Sequence, residues 1–164
     1  MNYTNTVSVR TLSATILTIL LGAFAVWGSM YLGMAIDRMY SWETALLSAP
    51  FIEEGLKFIP VFVLFFAFRK RMNPLALGLL VALGFAIAEN IIFAYMSSGP
   101  FGDFYRIPAL FLHIIATALA TCSIVICVRK GWLHSLWAFP LFLLLACFLH
   151  LGFNLAASLN WFMS

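Results

Sequence analysis

Three glutamates, a lysine and two histidines stand in stretches of this sequence that are otherwise apolar. The densest is APFIEEGLKFIP at 49–60, which holds Glu53, Glu54 and Lys57; further on come Glu89 beside Asn90, then His113, then His150 with Asn154. Carboxylates and imidazoles are the side chains that move protons near neutral pH and bind divalent metals, and an amide such as Asn154 donates hydrogen bonds to a developing oxyanion. Three carboxylates and one ammonium sum to a formal charge of minus two. A divalent cation would balance that charge, and so would two bound protons.

Spacing sorts these groups. Glu53 and Lys57, Phe85 and Glu89, His113 and Thr117, and His150 and Asn154 are each four residues apart, which on a helix puts both members on one face. Glu53 and Glu54 lie about 100° apart around a helix and so point to different tasks. The plainer expectation for Glu53 and Lys57 is an ion pair within one helix, which leaves Glu54 without that explanation. A single intramembrane histidine is more often a hydrogen-bonded packing residue than a ligand. His134, beside the RKG break, is expected at the interface with no chemical role, and Asp103 and Arg106 are expected to be loop charges. Asn90 is either a helix–helix hydrogen-bond partner or part of the site. Pro50 and Pro60 bracket the glutamates, and each removes a helical N–H, a common cause of kinks that could admit water.

The elements that must position these groups follow from composition. Of the 164 residues, 64% are hydrophobic and only 9% charged, and the mean hydropathy is +1.04, which excludes a soluble domain. The expected fold is an all-α polytopic membrane bundle of about five transmembrane helices. They run from Thr11 to Ile36, Thr44 to Phe68, Pro74 to Ser97, Ile107 to Val128 and Trp132 to Ala156, each long enough to cross a hydrocarbon core of about 30 Å. The breaks DRMYSW, RKRMN, SGPFGD and RKG leave no room for a soluble domain, so residues 1–164 form a single integral membrane domain with a catalytic core at about 44–158. An A-x-A-like pair at Ala23 and Ala25 could mark signal cleavage, but apolar sequence continues through Ile36 and the first segment is expected to stay as a helix. Its Gly22, Gly28 and Gly33 are expected to allow close packing. Cys122, Cys127 and Cys147 form no C-x-x-C pair and are expected to be buried, inert thiols.

Because the helices alternate in direction, residue number must be converted to depth. From each expected midpoint, Glu53 and Glu89 lie about 5 Å toward the outside, His113 about 7 Å and His150 about 9 Å. Four helices thus bring their polar groups to one layer. Arg10, Arg69, Lys70, Arg71, Arg129 and Lys130 fall on one side of the membrane, against Arg38 and Arg106 on the other, so the N-terminus is expected inside and the C-terminus outside. These flanks account for the net charge of +3, and nothing in the pattern suggests nucleic acid. The abundant phenylalanines read as packing and lipid-facing surface, with the tryptophans including interface anchors.

Together EExxK (Glu53, Glu54, Lys57), GFAxAEN (Gly84 to Asn90), the intramembrane His113 and HxxxN (His150, Asn154) resemble the PrsW family of intramembrane proteases, related to the type II CAAX prenyl endopeptidase and bacteriocin-immunity superfamily. The resemblance spans residues 49–154. The CAAX branch resembles EExxxR followed by FxxxH, whereas here the lysine stands one place earlier and Glu89 stands where that histidine would be, which puts prenylated substrates in doubt. The resemblance implies a bacterial or archaeal membrane protease that cuts a membrane-anchored protein, such as an anti-sigma factor, near the extracytoplasmic face. It implies Glu53 as the base, Glu89 and His113 sharing its water or a metal, and Glu54 as a further ligand or a partner of Lys57. His150 and Asn154, one turn apart, are suited to serving the oxyanion, and Asn154 could equally orient His150. If zinc is present, its ligands would come from Glu53, Glu54, Glu89, His113 and His150, with an open water position; a metal-free glutamate mechanism stands beside it.

Two other classes remain open. Intramembrane carboxylates and histidines also form relays in proton- or cation-coupled transporters, although no internal repeat is present here. A catalytically silent immunity or scaffold protein would keep the fold without the intact EExxK, AEN and HxxxN sets.

Overall fold

A computed structural model describes residues 9–68, 73–96 and 100–163. Among them are five helices: α1 (Val9–Met39), α2 (Trp42–Phe68), α3 (Pro74–Met96), α4 (Pro100–Lys130) and α5 (Trp132–Met163). The helix ends follow local chemistry. Ser41 Oγ accepts from the amide of Thr44 at 3.3 Å at the start of α2, and Asn73 Oδ1 accepts from the amide of Leu75 at 2.9 Å, capping α3 with Pro74 at its first position. Gly131 ends α4 with φ at 87°, its amide bonded to the carbonyl of Cys127 at 2.9 Å. That left-handed turn is where a glycine is required.

Three boundaries differ from the sequence reading by three residues or more. α1 runs on to Met39, where Arg38 in its last turn suits the negative end of the helix dipole. α4 begins at Pro100, because proline is well suited to a first helical turn, so part of the expected SGPFGD break is helix. α5 continues to Met163, through polar residues that apolar length alone would have left out.

The chain is an all-α integral membrane bundle. α1, α3, α4 and α5 contain stretches long and apolar enough to cross a bilayer. α2 is of similar length, yet any stretch of spanning length in it includes Glu53, Glu54 and Lys57. Its position explains how it tolerates them: among the described residues α2 packs against all four other helices, while α1 meets only α2 and α3, and α5 only α2 and α4. The inward stripe of α2 is Glu54, Lys57, Phe58, Val61, Leu64 and Phe65, each under one-tenth exposed. Its lower half joins Leu77 and Val81 of α3, Ala116, Ala120 and Ile124 of α4 and Ala146 of α5 in one apolar core.

α1 lies against α3 backbone to backbone. A Cβ added to Gly22 would meet the carbonyl oxygen of Val81, and one added to Gly84 would meet that of Ile19. Close packing was expected at three glycines of α1, but only Gly22 requires it; Gly33 has open space beside it, and Gly28 meets only the Leu56 side chain. Cys147 is buried as expected, whereas Cys122 and Cys127 are only half-buried, and all three thiols are free. Trp27 and Trp137 are largely exposed; the side chains of Trp42, Trp132 and Trp161 lie outside the described residues.

Candidate functional site

The apolar core ends where Lys57 begins, and from there a polar network crosses four helices. Lys57 on α2 is fully buried, ion-paired with Glu54 one turn away on the same helix, and 3.0 Å from Nδ1 of His113 on α4. Its ammonium also lies 4.5 Å from the centre of the Phe85 ring on α3. Nε2 of His113 faces Glu89 Oε2 of α3 at 2.5 Å. Glu54 Oε1 takes a second bond, from Nδ1 of His150 on α5 at 2.9 Å, and its Oε2 lies 3.5 Å from the Thr117 hydroxyl. The rings of His113 and His150 stand edge to face with centres 4.9 Å apart.

The pairing within α2 reverses the simplest sequence expectation. Lys57 is bonded to Glu54 at i,i+3, not to Glu53 at i,i+4, because Glu54 and Lys57 share the inward face while Glu53 stands at its edge. Glu54 therefore has three partners and Glu53 almost none. The side chain of Glu53 is 14% exposed, and its Oε2 is buried without a hydrogen-bond partner among the described residues, 3.6 Å from Nε2 of His150. Buried carboxylate oxygens are rarely left so, since an unmade bond costs the full desolvation of the group.

The bonding partners assign the imidazole protons. An ammonium only donates, so Nδ1 of His113 accepts from Lys57 and Nε2 holds the proton that it gives to Glu89. For His150 the order is the opposite. Nδ1–H donates to the Glu54 carboxylate, and in the neutral ring this leaves the Nε2 lone pair facing Glu53 at 3.6 Å. A carboxylate behind one imidazole nitrogen, fixing the other toward a ligand, is a common arrangement around metals and bases.

Of the residues singled out in the sequence, Glu53, Glu54, Lys57, Glu89, His113 and His150 meet in this network. Asn154 sits one turn beyond His150 and is half-buried, but no hydrogen bond joins its side chain to the network among the described residues; its carbonyl accepts from Ser158 at 2.8 Å. The Asn90 amide donates to the carbonyl of Ala86 in its own helix at 2.8 Å, and no bond joins it to the network among the described residues. The side chains of His134, Asp103 and Arg106 lie outside the described residues. Phe85 and Thr117 were noted only as spacing partners of Glu89 and His113. Phe85 is a floor on which Lys57 and His113 rest, with its ring centre 5.0 Å from that of His113, and Thr117 is a buried donor to Glu54. The i,i+4 spacing was the signal for both, but apolar packing and a hydroxyl carry no chemistry that sequence alone would rank.

A helical membrane bundle that assembles carboxylates and imidazoles from four helices defines a class, that of integral membrane proteins with acid–base or metal chemistry inside the bilayer. The particular family is shown by comparison: the chain belongs to the PrsW family of intramembrane metalloproteases, which it matches over residues 5–164. No curated protein and no solved structure matches the chain.

The family's metal finds a donor set that fits. Single donor atoms of Glu53, His113 and His150 all lie within 4.8 Å of one another. Among the described residues Glu53 Oε2 and His150 Nε2 make no other hydrogen bond, and three protein donors are the usual number for a catalytic site. His113 must give up more, because Nε2 would have to exchange its proton and its bond to Glu89 for the metal while Nδ1 faces an ammonium.

Proposed function

We propose that this membrane protease hydrolyses a peptide bond of a membrane-anchored, anti-sigma-factor-like protein near the extracytoplasmic face, using Glu53 to activate water. The observation that carries the proposal is the unpartnered, buried oxygen of Glu53, 3.6 Å from Nε2 of His150. The N-terminus would be cytoplasmic and the C-terminus extracytoplasmic in a bacterial or archaeal cell membrane. Residues 1–164 would form one domain with its catalytic core at about 44–158.

In this mechanism Glu53 orients a water and takes its proton as the oxygen attacks the carbonyl carbon. His150, held by Glu54 through Nδ1, directs its Nε2 lone pair to the same place and fixes the water's second hydrogen. The Nε2–H of His113 exchanges Glu89 for the carbonyl oxygen and stabilises the tetrahedral oxyanion, with the Asn154 amide as a second donor, each such donor contributing about 3 kcal/mol. Glu53 then returns its proton to the amide nitrogen as the C–N bond breaks, and Glu89 draws the His113 proton back. Lys57 and Glu54 stay in place and hold both rings. A zinc ion held by Glu53, His113 and His150 would take the place of these direct roles and supply Lewis-acid polarisation of the water and the carbonyl.

Glu53→Gln tests the proposal, with cleavage of a co-expressed single-span reporter and bound zinc measured on the same preparations. Cleavage should fall by about 10²-fold or more, with the protein still folded in the membrane. Full cleavage by that variant removes Glu53 from the mechanism.

A further inference from the structure

The C-terminal half of α2 turns away from the polar layer and, with α4 and α5, walls a groove of about 450 Å³. Phe58, Phe62 and Phe66 line it from α2, Ser123 and Cys127 from α4 and Phe139 from α5. Phe58 and Phe139 close its floor edge to face at 4.6 Å, and Phe62 and Phe66 continue the aromatic wall at 4.8 Å. The one hydroxyl in this wall is already spent, since Ser123 donates to the carbonyl of Ala120. Nothing polar is on offer inside.

From Phe58 to Phe66 the groove follows α2 for about 12 Å, at 1.5 Å per residue, and its aromatic and aliphatic wall suits a hydrocarbon chain.

Charge at the mouth supplies the second argument. Ser123 and Cys127 are i,i+4 on α4, and Lys130 continues that stripe to the exposed last turn, beside Arg129. In the sequence, Arg10, Arg69, Lys70 and Arg71 fall at the same end of the helices, while Asp37, Glu43 and Asp103 fall at the other and Glu53, Glu54 and Glu89 lie between. The groove, lined by Phe66, Cys127 and Leu136 near those helix ends, therefore lies toward an end of the bundle rich in cations and without a carboxylate in the sequence. Juxtamembrane lysines and arginines attract anionic lipid headgroups, each by a useful amount, and basic sites between helices bind them specifically.

We propose that this groove is a binding site for an anionic phospholipid, with an acyl chain along the Phe58–Phe62–Phe66 wall and its headgroup at Arg129 and Lys130. The site is separate from the polar layer and does not depend on the protease chemistry.

Cys127, a free and half-buried thiol in the groove wall, reports occupancy, and Cys122, half-buried outside it, serves as the reference. Full-length protein in detergent micelles would be alkylated with a membrane-permeant maleimide in the presence of phosphatidylglycerol or of phosphatidylcholine with the same acyl chains. Modification would be read at each cysteine by peptide mass. Phosphatidylglycerol should slow labelling of Cys127 about tenfold more than phosphatidylcholine does, with Cys122 unaffected. The difference should vanish in the Arg129→Gln/Lys130→Gln double variant and persist in Lys130→Arg, which keeps the charge if the double variant misfolds. Equal protection by both lipids, no protection by either, or protection only by an added single-span peptide would each overturn the proposal.

Discussion

Glu53 and Glu54 are neighbours in sequence, yet they stand in two regions of the polar layer that differ in kind. The inner region, Glu54 with Lys57, His113 Nδ1, His150 Nδ1 and Thr117, is dry and satisfied: the Glu54 and Lys57 side chains have no exposure and every partner is another helix's polar group or the facing charge. The rim, Glu53 with Glu89 and the outward nitrogens of the two imidazoles, is 14% and 17% exposed at its carboxylates and holds the one unpartnered buried oxygen among the described residues. Satisfied buried charge holds a geometry, and unsatisfied buried charge at a rim is available for chemistry. The difference divides the EExxK stretch into a part that builds the site and a part that acts in it.

Substitutions should separate the two regions by what they damage. The largest expected effect on folding is in the inner region. Lys57→Met keeps the stem but removes the ammonium, leaving Glu54 charged in a dry interior, at a cost of about 3–5 kcal/mol. Thermal unfolding in detergent should fall sharply or the protein should fail to accumulate; a variant of unchanged stability would show that the inner region is not a structural clasp. Glu53→Gln should do the reverse, losing cleavage while its unfolding temperature stays near wild type, since no hydrogen bond of Glu53 Oε2 is there to lose. Loss of stability in that variant equal to Lys57→Met would erase the distinction.

A third region gives an intermediate effect. The α1–α3 crossing depends on the absence of side chains at Gly22 and Gly84. Gly84→Ala would drive a methyl into the carbonyl of Ile19, which is backbone and cannot swing aside. Overpacking of this kind costs about 1–3 kcal/mol. The loss should appear in thermal unfolding, with cleavage reduced only as far as folded protein is reduced. An unchanged unfolding temperature would mean that α1 shifts freely on α3 and is not fixed to the core.

How much of this could be seen in the sequence depends on which physical link is asked for. Helix number and the shared layer were legible, because apolar length sets the spans and alternating direction converts residue number to depth. The meeting of Glu53, Glu89, His113 and His150 follows from that conversion. The partner of Lys57 was not legible, since i,i+3 and i,i+4 are both open on a bare helix and the choice belongs to His113, His150 and Phe85 on other helices. Gly84 illustrates the same limit. It reads as part of a functional motif, yet its contact with the Ile19 carbonyl is a matter of packing that only the neighbouring helix reveals.

Asn90 stands next to Glu89, in the most motif-like stretch of α3, and should nevertheless show the smallest effect. Its amide is bonded to the carbonyl of Ala86, which already accepts the helical bond available to it from its own ladder, so the side chain supplements a bond rather than making a necessary one. Half-buried beside the rim, it leaves no charge behind when truncated. Asn90→Ala should change stability by about 0.5 kcal/mol or less and leave cleavage of the reporter within about twofold, because it neither touches His113 nor holds Glu89. A large loss of cleavage with stability intact would move Asn90 into the rim, and would mean that the chemical region extends along α3 beyond the carboxylate that the hydrogen-bond network identifies.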